Sequence, residues 1–502
     1  MNEKRCTEMF EYAINDNSVI ELEHKISVVD QADVIVAGGG VAGLGAAIAA
    51  ARTGVRTILV ERYSFLGGVA TANMMQAISS GKFIDGVMVE LLERMTKKGG
   101  ATNWDIKERT DQMTDGFMNE AITFDIECLK ETAMEMCLES NVILYLYTQA
   151  VAPIVIDNKI VGIIVESKGG RQAILGKRVV DCTGDGDLLY KAGVPYVFGR
   201  ESIDNKTRPF VLMFRIGGMN VPKILEYLDK HPDQWQAQYH VASQRKVGEN
   251  NIITRMSGFW DLVEKAKSNG DLYETIHYLR FEAVFIEQGI ALCNTTRIYN
   301  VDGTNPVDLT KGEIEGRQQM KKLLSFMRKY VPGLENAFII DVAPSLGVRE
   351  TRRFIGEYFL TDDDCYDLKT FNDCIITVTR LMPIKEKRYD LDTHPVIPIE
   401  GSDKYFGVDR KDAKTTYLAP HKFCLNYRML LPKGIENMLY AGRIMSTTHF
   451  VEAYARVMTI CMRLGQVAGT AAALSLKENI SPKALSFDVL KKELLRQGYT
   501  RF

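Results

Sequence analysis

The apolar run DVIVA (Asp33 to Ala37) carries β-branched residues in the pattern of a buried parallel strand. Glycines follow at once, then an alanine-rich helix from Leu44 to Arg52 that Gly54 stops. TILV makes a second strand, which ends at Glu61. Gly38, Gly40 and Gly43 complete G-x-G-x-x-G at the end of the first strand, and Glu61 lies 18 positions after Gly43. That spacing suits an acid that accepts hydrogen bonds from a ribose. The first glycine permits the tight turn, the second admits a pyrophosphate close to the backbone, and the third lets helix and strand pack closely. The unpaired amides at the helix N-terminus, with its dipole, suit phosphates, and Val41 and Ala42 in the turn are candidate cofactor-binding residues. The unit predicts an α/β, Rossmann-like dinucleotide-binding domain.

Beyond Glu61 and Arg62, Leu66, Gly67 and Gly68 make a flexible bend that allows backbone to lie along a cofactor. This segment lacks the C-x-x-x-x-C pair of disulfide-reducing flavoenzymes, which argues against a dithiol relay. Residues 81 to 119 predict an amphipathic helix and a polar, glycine-containing loop whose Trp104 is a packing anchor more readily than a substrate platform. DIECLKETAMEMCLE predicts a helix and VILYLYT a strand, and residues 151 to 183 read as a small antiparallel meander with turns at Asp157-Asn158 and Gly169-Gly170. The meander ends at TGDGD, where Gly184 and Asp185 form a second strand-to-helix turn suited to backbone contact with the same cofactor.

From 200 to about 430 the pattern changes. It predicts a long helical stretch over 221–290, a strand in FVLMFRIGGM, another in GIALCNTTRIYNVDG, and a helix capped by Thr310 with Glu313 three residues on and stopped by Pro332-Gly333. SLGVRETRRFIGEYFLT follows, and its Arg349, Arg352 and Arg353 fit either a salt-bridge network with Glu350 and Glu357 or an anion site, since arginine's planar fork suits a carboxylate. Near the C-terminus NMLYAG is a strand ending at Gly442-Arg443. A polar segment then precedes a long helix from about Tyr454 to Leu476, where Gly465, Ala468, Gly469, Ala471 and Ala472 predict close packing. The expected organisation is an arm over 1–32, a discontinuous nucleotide-binding domain over 33–200 and 431–480, an inserted α+β substrate or cap domain over 201–430, and a tail over 481–502.

With 502 residues, two or three substructures are expected. A net charge of −2, with lysines and arginines dispersed, gives no electrostatic case for nucleic acid or anionic membrane. The apolar stretch VMTICMRLGQVAGTAAALSL is interrupted by Arg463 and Gln466 and reads as a buried helix rather than a span. The acids in MNEKRCTEMFEYAIND disfavour a signal peptide, so the expected location is cytoplasmic. Nine scattered cysteines with no C-x-x-C or metal-type spacing are expected to be reduced, mostly core residues, and no metal site is expected.

Together, the Gly38 turn, Glu61, LGG at 66–68, TGDGD at 183–187, NTTR at 294–297, GVRETRR at 347–353 and AGRIMS…GQVAGTAAA at 441–473 resemble the FAD-dependent oxidoreductase family of the glutathione-reductase-like flavoproteins. The resemblance covers about residues 30 to 475. It implies FAD as cofactor, with Gly38, Gly40 and Gly43 around the pyrophosphate and Glu61 on the adenosine ribose. Leu66, Gly67 and Gly68 would lie along the cofactor, Gly184 and Asp185 near its adenosine half. Gly442 and Arg443 would approach the pyrophosphate or ribityl chain, and the following helix would point its N-terminus at the flavin's pyrimidine edge. No second G-x-G-x-x-G unit accompanies these motifs, so a dedicated nicotinamide domain is not expected.

The implied cycle moves a hydride between a small polar organic molecule and flavin N5, with an external electron acceptor or donor as partner. Proton transfer in such a step calls for a base, and His449 is the first candidate, with His394 in DLDTHPV the second and Arg349 a further active-site candidate. Glu452, Tyr454 and Arg456 share the His449 segment, and Asn294, Thr296 and Arg297 either line the site or satisfy a strand end. Two other functions stay open: a flavin-binding electron-transfer subunit of a larger complex, and an FAD-dependent hydroxylase. A homo-oligomer is compatible with all three.

Overall fold

The computed structural model describes residues 12–15, 18–21, 25–78, 84–102, 122–234, 244–383, 404–405, 408–409 and 418–502. Trp104 and its loop, and His394, lie outside these residues.

A seven-stranded sheet forms the nucleotide-binding body. Ile143–Tyr145, Thr57–Val60, Ser27–Ala37 and Gly170–Asp181 run parallel in that order, and Met438–Tyr440 joins the far end of Gly170–Asp181. The near half of Gly170–Asp181 instead closes the antiparallel meander with Lys159–Ser167 and Gln149–Ile156. One strand thus serves both layers. Its length explains why the first strand begins at Ser27, not Asp33: residues 27–32, assigned by the sequence to the arm, pair with Gln172 to Gly176. Val28 and Val29 are exposed there, so hydrophobic patterning gives no sign of the strand.

Helices Val41–Arg52 and Met458–Lys477 cross with little between them. A Cβ on Gly465 would sit 1.9 Å from the Ala42 carbonyl oxygen, and one on Gly469 2.0 Å from that of Ala46. The small residues expected to pack closely do so. The C-terminal helix is not continuous from Tyr454, however. The chain extends at Val457 (φ −67°, ψ 150°), which separates His449–Ala455 from Met458–Lys477 by a 96° bend and lets the longer helix lie along Val41–Arg52. Among the described residues no single helix is long and apolar enough to cross a membrane; only this bent pair reaches the threshold together, and most of it is buried.

The inserted domain is built on a six-stranded antiparallel sheet, ordered Gln244–Val247, Asn250–Gly258, Leu279–Phe285, Ile290–Cys293, Phe214–Gly217 and Phe338–Val342. The helical stretch expected over 221–290 is therefore wrong in kind. Among the described residues there, α-helix is confined to Val221–Lys230 and Trp260–Ser268, with a 3-10 turn at Pro232–Gln234. Arg255, Arg280 and Glu282 gave those segments a mixed polarity, but the fold buries all three. Arg255 faces Glu282 across the strands, with Nε 2.8 Å from Oε2, and Arg280 takes the other oxygen at 2.6 Å. The ladder in FVLMFRIGGM covers only Phe214–Gly217. The long helix runs Pro306–Tyr330 and is capped by Asn305, whose side chain accepts from the Val307 and Asp308 amides, rather than by Thr310. Proline at the first helical position needs no amide partner, so the start shifts one turn upstream.

Two boundaries differ from expectation. Ile375, Val378, Phe423, Leu425 and Met429 join the core of the nucleotide-binding body, so the inserted domain's own core ends near Val342. Phe487–Arg496, in the expected tail, is a helix whose Leu490 and Leu494, with Tyr499, are fully buried in the same core. The cysteines need one correction as well. Cys374 and Cys424, 50 residues apart, form a disulfide between neighbouring antiparallel strands. That separation hides the pairing from the sequence. Cys128, Cys137, Cys182, Cys293, Cys365 and Cys461 are free thiols.

Candidate functional site

The glycine turn is built by contact. A Cβ on Gly43 would meet the Gly38 carbonyl oxygen at 1.7 Å, so helix and turn can be this close only with glycine there. Gly40 is different: a Cβ on it would find nothing nearer than the Gly68 Cα at 3.8 Å. The helix it starts has no side-chain cap and no acid in its first turn, so the Val41 and Ala42 amides face outward without a built-in anion. Gly67 donates to the Gly39 carbonyl at 2.9 Å and lays 67–68 against the turn. Leu66 itself is core, fully buried beneath Gly39, so that stretch offers backbone only. Gly442 meets Ala42 on the other side, where a Cβ would sit 3.3 Å from the Ala42 Cβ.

Glu61 is buried at the end of its strand. Its Oε2 accepts from the Gly39 amide at 2.6 Å and its Oε1 from the Tyr63 amide at 2.9 Å. Burial raises its pKa against those hydrogen bonds. Arg62 is exposed, with its guanidinium 4.9 Å from the centre of the Tyr63 ring. An open helix N-terminus, a glycine with space above it and a buried carboxylate one strand away fit a dinucleotide's pyrophosphate and ribose.

A second junction ties together three segments far apart in the sequence. Asp181, unassigned by the sequence, is fully buried and accepts from the Thr183 amide (3.0 Å) and hydroxyl (2.8 Å) and from the Leu188 and Leu189 amides (3.1 and 3.0 Å). Burial pushes its carboxyl up to about 6. Asp185 accepts from Arg443 Nη2 and from the Thr351 hydroxyl, both at 2.6 Å. Arg443 also donates through Nε to the Gly184 carbonyl at 2.7 Å and through Nη1 to the Val348 carbonyl. The segments 183–187, 347–353 and 442–443, far apart in sequence, thus meet at the side chain of Arg443.

His449 sits beside this junction. Its Nδ1 lies 2.7 and 2.9 Å from the two oxygens of Glu350. Arg208 reaches Glu350 at 3.2 Å, contacts Glu452, and donates to the His449 carbonyl at 2.7 Å. Arg353 contacts Glu350 and, at 2.5 Å, Glu201, which in turn accepts from the His449 amide at 3.1 Å. Arg208, Arg353, Glu350 and Glu452 are all buried. Burial works to raise the Glu350 carboxyl, but Arg208, His449 and Arg353 outweigh it and hold it well below the usual range. Glu452 goes the other way, raised by burial against Arg208 and Arg456 and further by Glu350.

The three arginines of GVRETRR separate in this geometry. Arg353 is in the buried network, and Arg352 pairs with Asp187 at 2.9 Å and stacks on Tyr190. Glu357 pairs with Lys483, not with these arginines. Arg349 makes no hydrogen bond or ion pair among the described residues. Arg297 donates to the Asn294 and Thr296 carbonyls and to the Tyr278 hydroxyl at 3.1 Å. Thr296 is a strand-end link, bonded both ways to the backbone of Leu212, and Asn294 is buried beside it. Arg456 approaches Glu452 at 3.5 Å, and Tyr454 packs on Phe450. The sequence missed Arg208 and Glu201 because a lone arginine in NKTRPF and a loop glutamate carry no motif. Among the described residues no group of three or more His, Cys, Asp or Glu side chains is arranged to hold a metal.

The structure is similar to several solved structures. One is a geranylgeranyl bacteriochlorophyll reductase-like protein from Thermoplasma acidophilum (TM-score 0.45, 11% identity, 94% of this chain and 84% of that one). Others are p-nitrophenol 4-monooxygenase from Pseudomonas putida DLL-E4 (0.44, 10%, 94% and 85%) and the flavin-dependent brominase Bmp2 (0.45, 11%, 93% and 83%). Likeness at this level sets neither reaction nor substrate. The family is decided by sequence: residues 33–494 match the FAD dependent oxidoreductase model, and the chain belongs to that family, with FAD as its cofactor.

Proposed function

We propose that this protein moves a hydride between a small polar organic molecule and its flavin, with an external acceptor or donor completing the cycle. Bound FAD supplies the two-electron centre for that transfer. Gly40, Val41 and Ala42 would hold the pyrophosphate through backbone amides, and Glu61 would exchange its Gly39 contact for the ribose hydroxyls.

His449 is the proton-handling group in this reading, and its contact with Glu350 is the observation that carries it. A carboxylate held ionised can only accept, so the nitrogen facing it carries the hydrogen. In the neutral ring the lone pair is then on Nε2, the atom that takes or returns the proton. Glu201 on the His449 amide and Arg208 on its carbonyl fix the backbone beneath the ring. Glu350 acts through His449 and is a positioning residue.

The test uses full-chain protein loaded with FAD, mixed without oxygen with panels of small alcohols, amines and hydroxy acids while the oxidised-flavin absorbance is followed. At least one compound bleaches the flavin, and His449→Gln slows bleaching by about a hundredfold with FAD still bound. Equal rates in His449→Gln would remove the residue from the reaction. NADPH consumption that depends on an aromatic compound would replace this reading with hydroxylation.

A further inference from the structure

We propose that Arg349, which makes no hydrogen bond or ion pair among the described residues, is the recognition point for a carboxylate on the substrate. The inference rests on the reading above for where the substrate lies, but its chemistry is argued from the arginines alone.

Among the described residues, the buried arginines away from this point are matched. Arg208 and Arg353 share Glu350, Arg255 and Arg280 share Glu282, Arg352 has Asp187, and Arg463 has Asp85. Arg178 has no carboxylate, but it is saturated by Ser475, Asn437 and two backbone carbonyls. Arg349 has neither kind of partner. Burial and then the charges of Arg297, Arg456 and Arg280 press its pKa down. Arg297 makes only neutral contacts. A half-buried guanidinium among other guanidinium groups is an unfavourable arrangement that an anion resolves. Arginine's planar fork matches the two oxygens of a carboxylate.

The position of Arg349 is set from both sides. Gly347 pairs with Val211, and the Val348 carbonyl accepts from Arg443, whose neighbour Gly442 faces the glycine-turn helix. On the other side Glu350 is bound to His449. Arg349 therefore lies between the segment that approaches the cofactor cradle and the proton-handling histidine. The side chains that act on it come from strand Leu279–Phe285 (Arg280), from the segment after strand Ile290–Cys293 (Arg297) and from the C-terminal segment (Arg456), so the site needs all three parts of the chain.

Acetate, oxalate, succinate and benzoate are compared with acetamide and benzamide at constant ionic strength. Binding is read by the flavin difference spectrum of the FAD-loaded full chain and by its thermal midpoint with and without FAD. At least one carboxylate binds saturably, and the amides do not. Arg349→Met weakens that binding by about tenfold or more, and Arg349→Lys falls between. Without any ligand Arg349→Met melts above the wild type, because a repelling charge is gone, whereas the control Arg352→Met melts below it and keeps carboxylate binding. Carboxylates and amides that behave alike, or unchanged carboxylate binding in Arg349→Met, would overturn the proposal. Midpoint shifts without FAD separate the two readings: carboxylate binding lost in Arg349→Met alongside a flavin that no compound bleaches keeps the anion site and rejects hydride transfer.

Discussion

Two interior regions of this protein are held by opposite means. Between helices Val41–Arg52 and Met458–Lys477 the contact is backbone against backbone, made by Gly45, Gly465 and Gly469. A few residues away, around His449, the interior is filled by Arg208, Arg353, Glu350 and Glu452. The first region has one way to fit and is insensitive to pH. In the second, each group's protonation depends on its neighbours, and removing one charge leaves others buried without a counter-charge. A cofactor cradle benefits from the first arrangement, because its amides must not move. The second suits the proton transfer proposed for His449.

The largest effect should come from breaking the charged region. Glu350→Ala removes the carboxylate shared by Arg208, Arg353 and His449, and we expect a loss of about 4 kcal/mol in unfolding free energy by urea titration. If the loss is as small as that of a surface ion pair, the cluster is not the closed unit that its distances describe.

Acidification sharpens the contrast, because two buried carboxyls respond with opposite signs. Asp181 has a folded pKa near 6 against an ordinary 3.8. Between those values the folded form holds a proton that the unfolded chain has lost, so stability rises as pH falls through this window, by about 3 kcal/mol in all. Glu350 has a depressed folded pKa. Its contribution is present above the ordinary 4.5 and is lost as pH falls from there toward the folded value. Urea midpoints across this range should therefore rise and then fall, and Asp181→Asn should reduce the rise and keep the fall, the remainder of the rise coming from the other carboxyls that burial raises, Glu61 and Glu452 among them. A wild-type profile that only falls would place Asp181 among ordinary carboxylates.

The smallest effect tests the packed region. Gly465→Ala sets a methyl against the Ala42 carbonyl, and we expect about 2 kcal/mol of destabilisation, with weaker retention of FAD because the Val41 and Ala42 amides shift with the helix. Its pH profile should run parallel to that of the wild type. A profile of different shape would mean that the two regions are coupled.

Asp33 to Glu61 was readable in the sequence because its information is local. A strand, three glycines at fixed spacing, a helix and an acid lie within one βαβ unit, and the structure adds only six residues to the front of the strand. The glycine and alanine face of Met458–Lys477 was readable for the same reason. Strands Asn250–Gly258 and Leu279–Phe285 were not, since Arg255 and Glu282 look like surface residues until the partner strand sets them face to face. GVRETRR showed arginines in a row without showing which of them were matched. Arg352 finds its carboxylate 165 residues away at Asp187, Arg353 finds one at Glu201, and Arg349 finds none among the described residues.

By itself the sequence determined the nucleotide-binding turn, the family and the cofactor, because glycine positions, helix dipole and strand periodicity act over neighbouring residues. Only the tertiary structure decided which charged groups meet around His449. Charge pairing between Arg208, Glu350, Glu452 and His449 depends on distances between segments up to 244 residues apart, and a side chain's protonation follows from what surrounds it in space rather than along the chain.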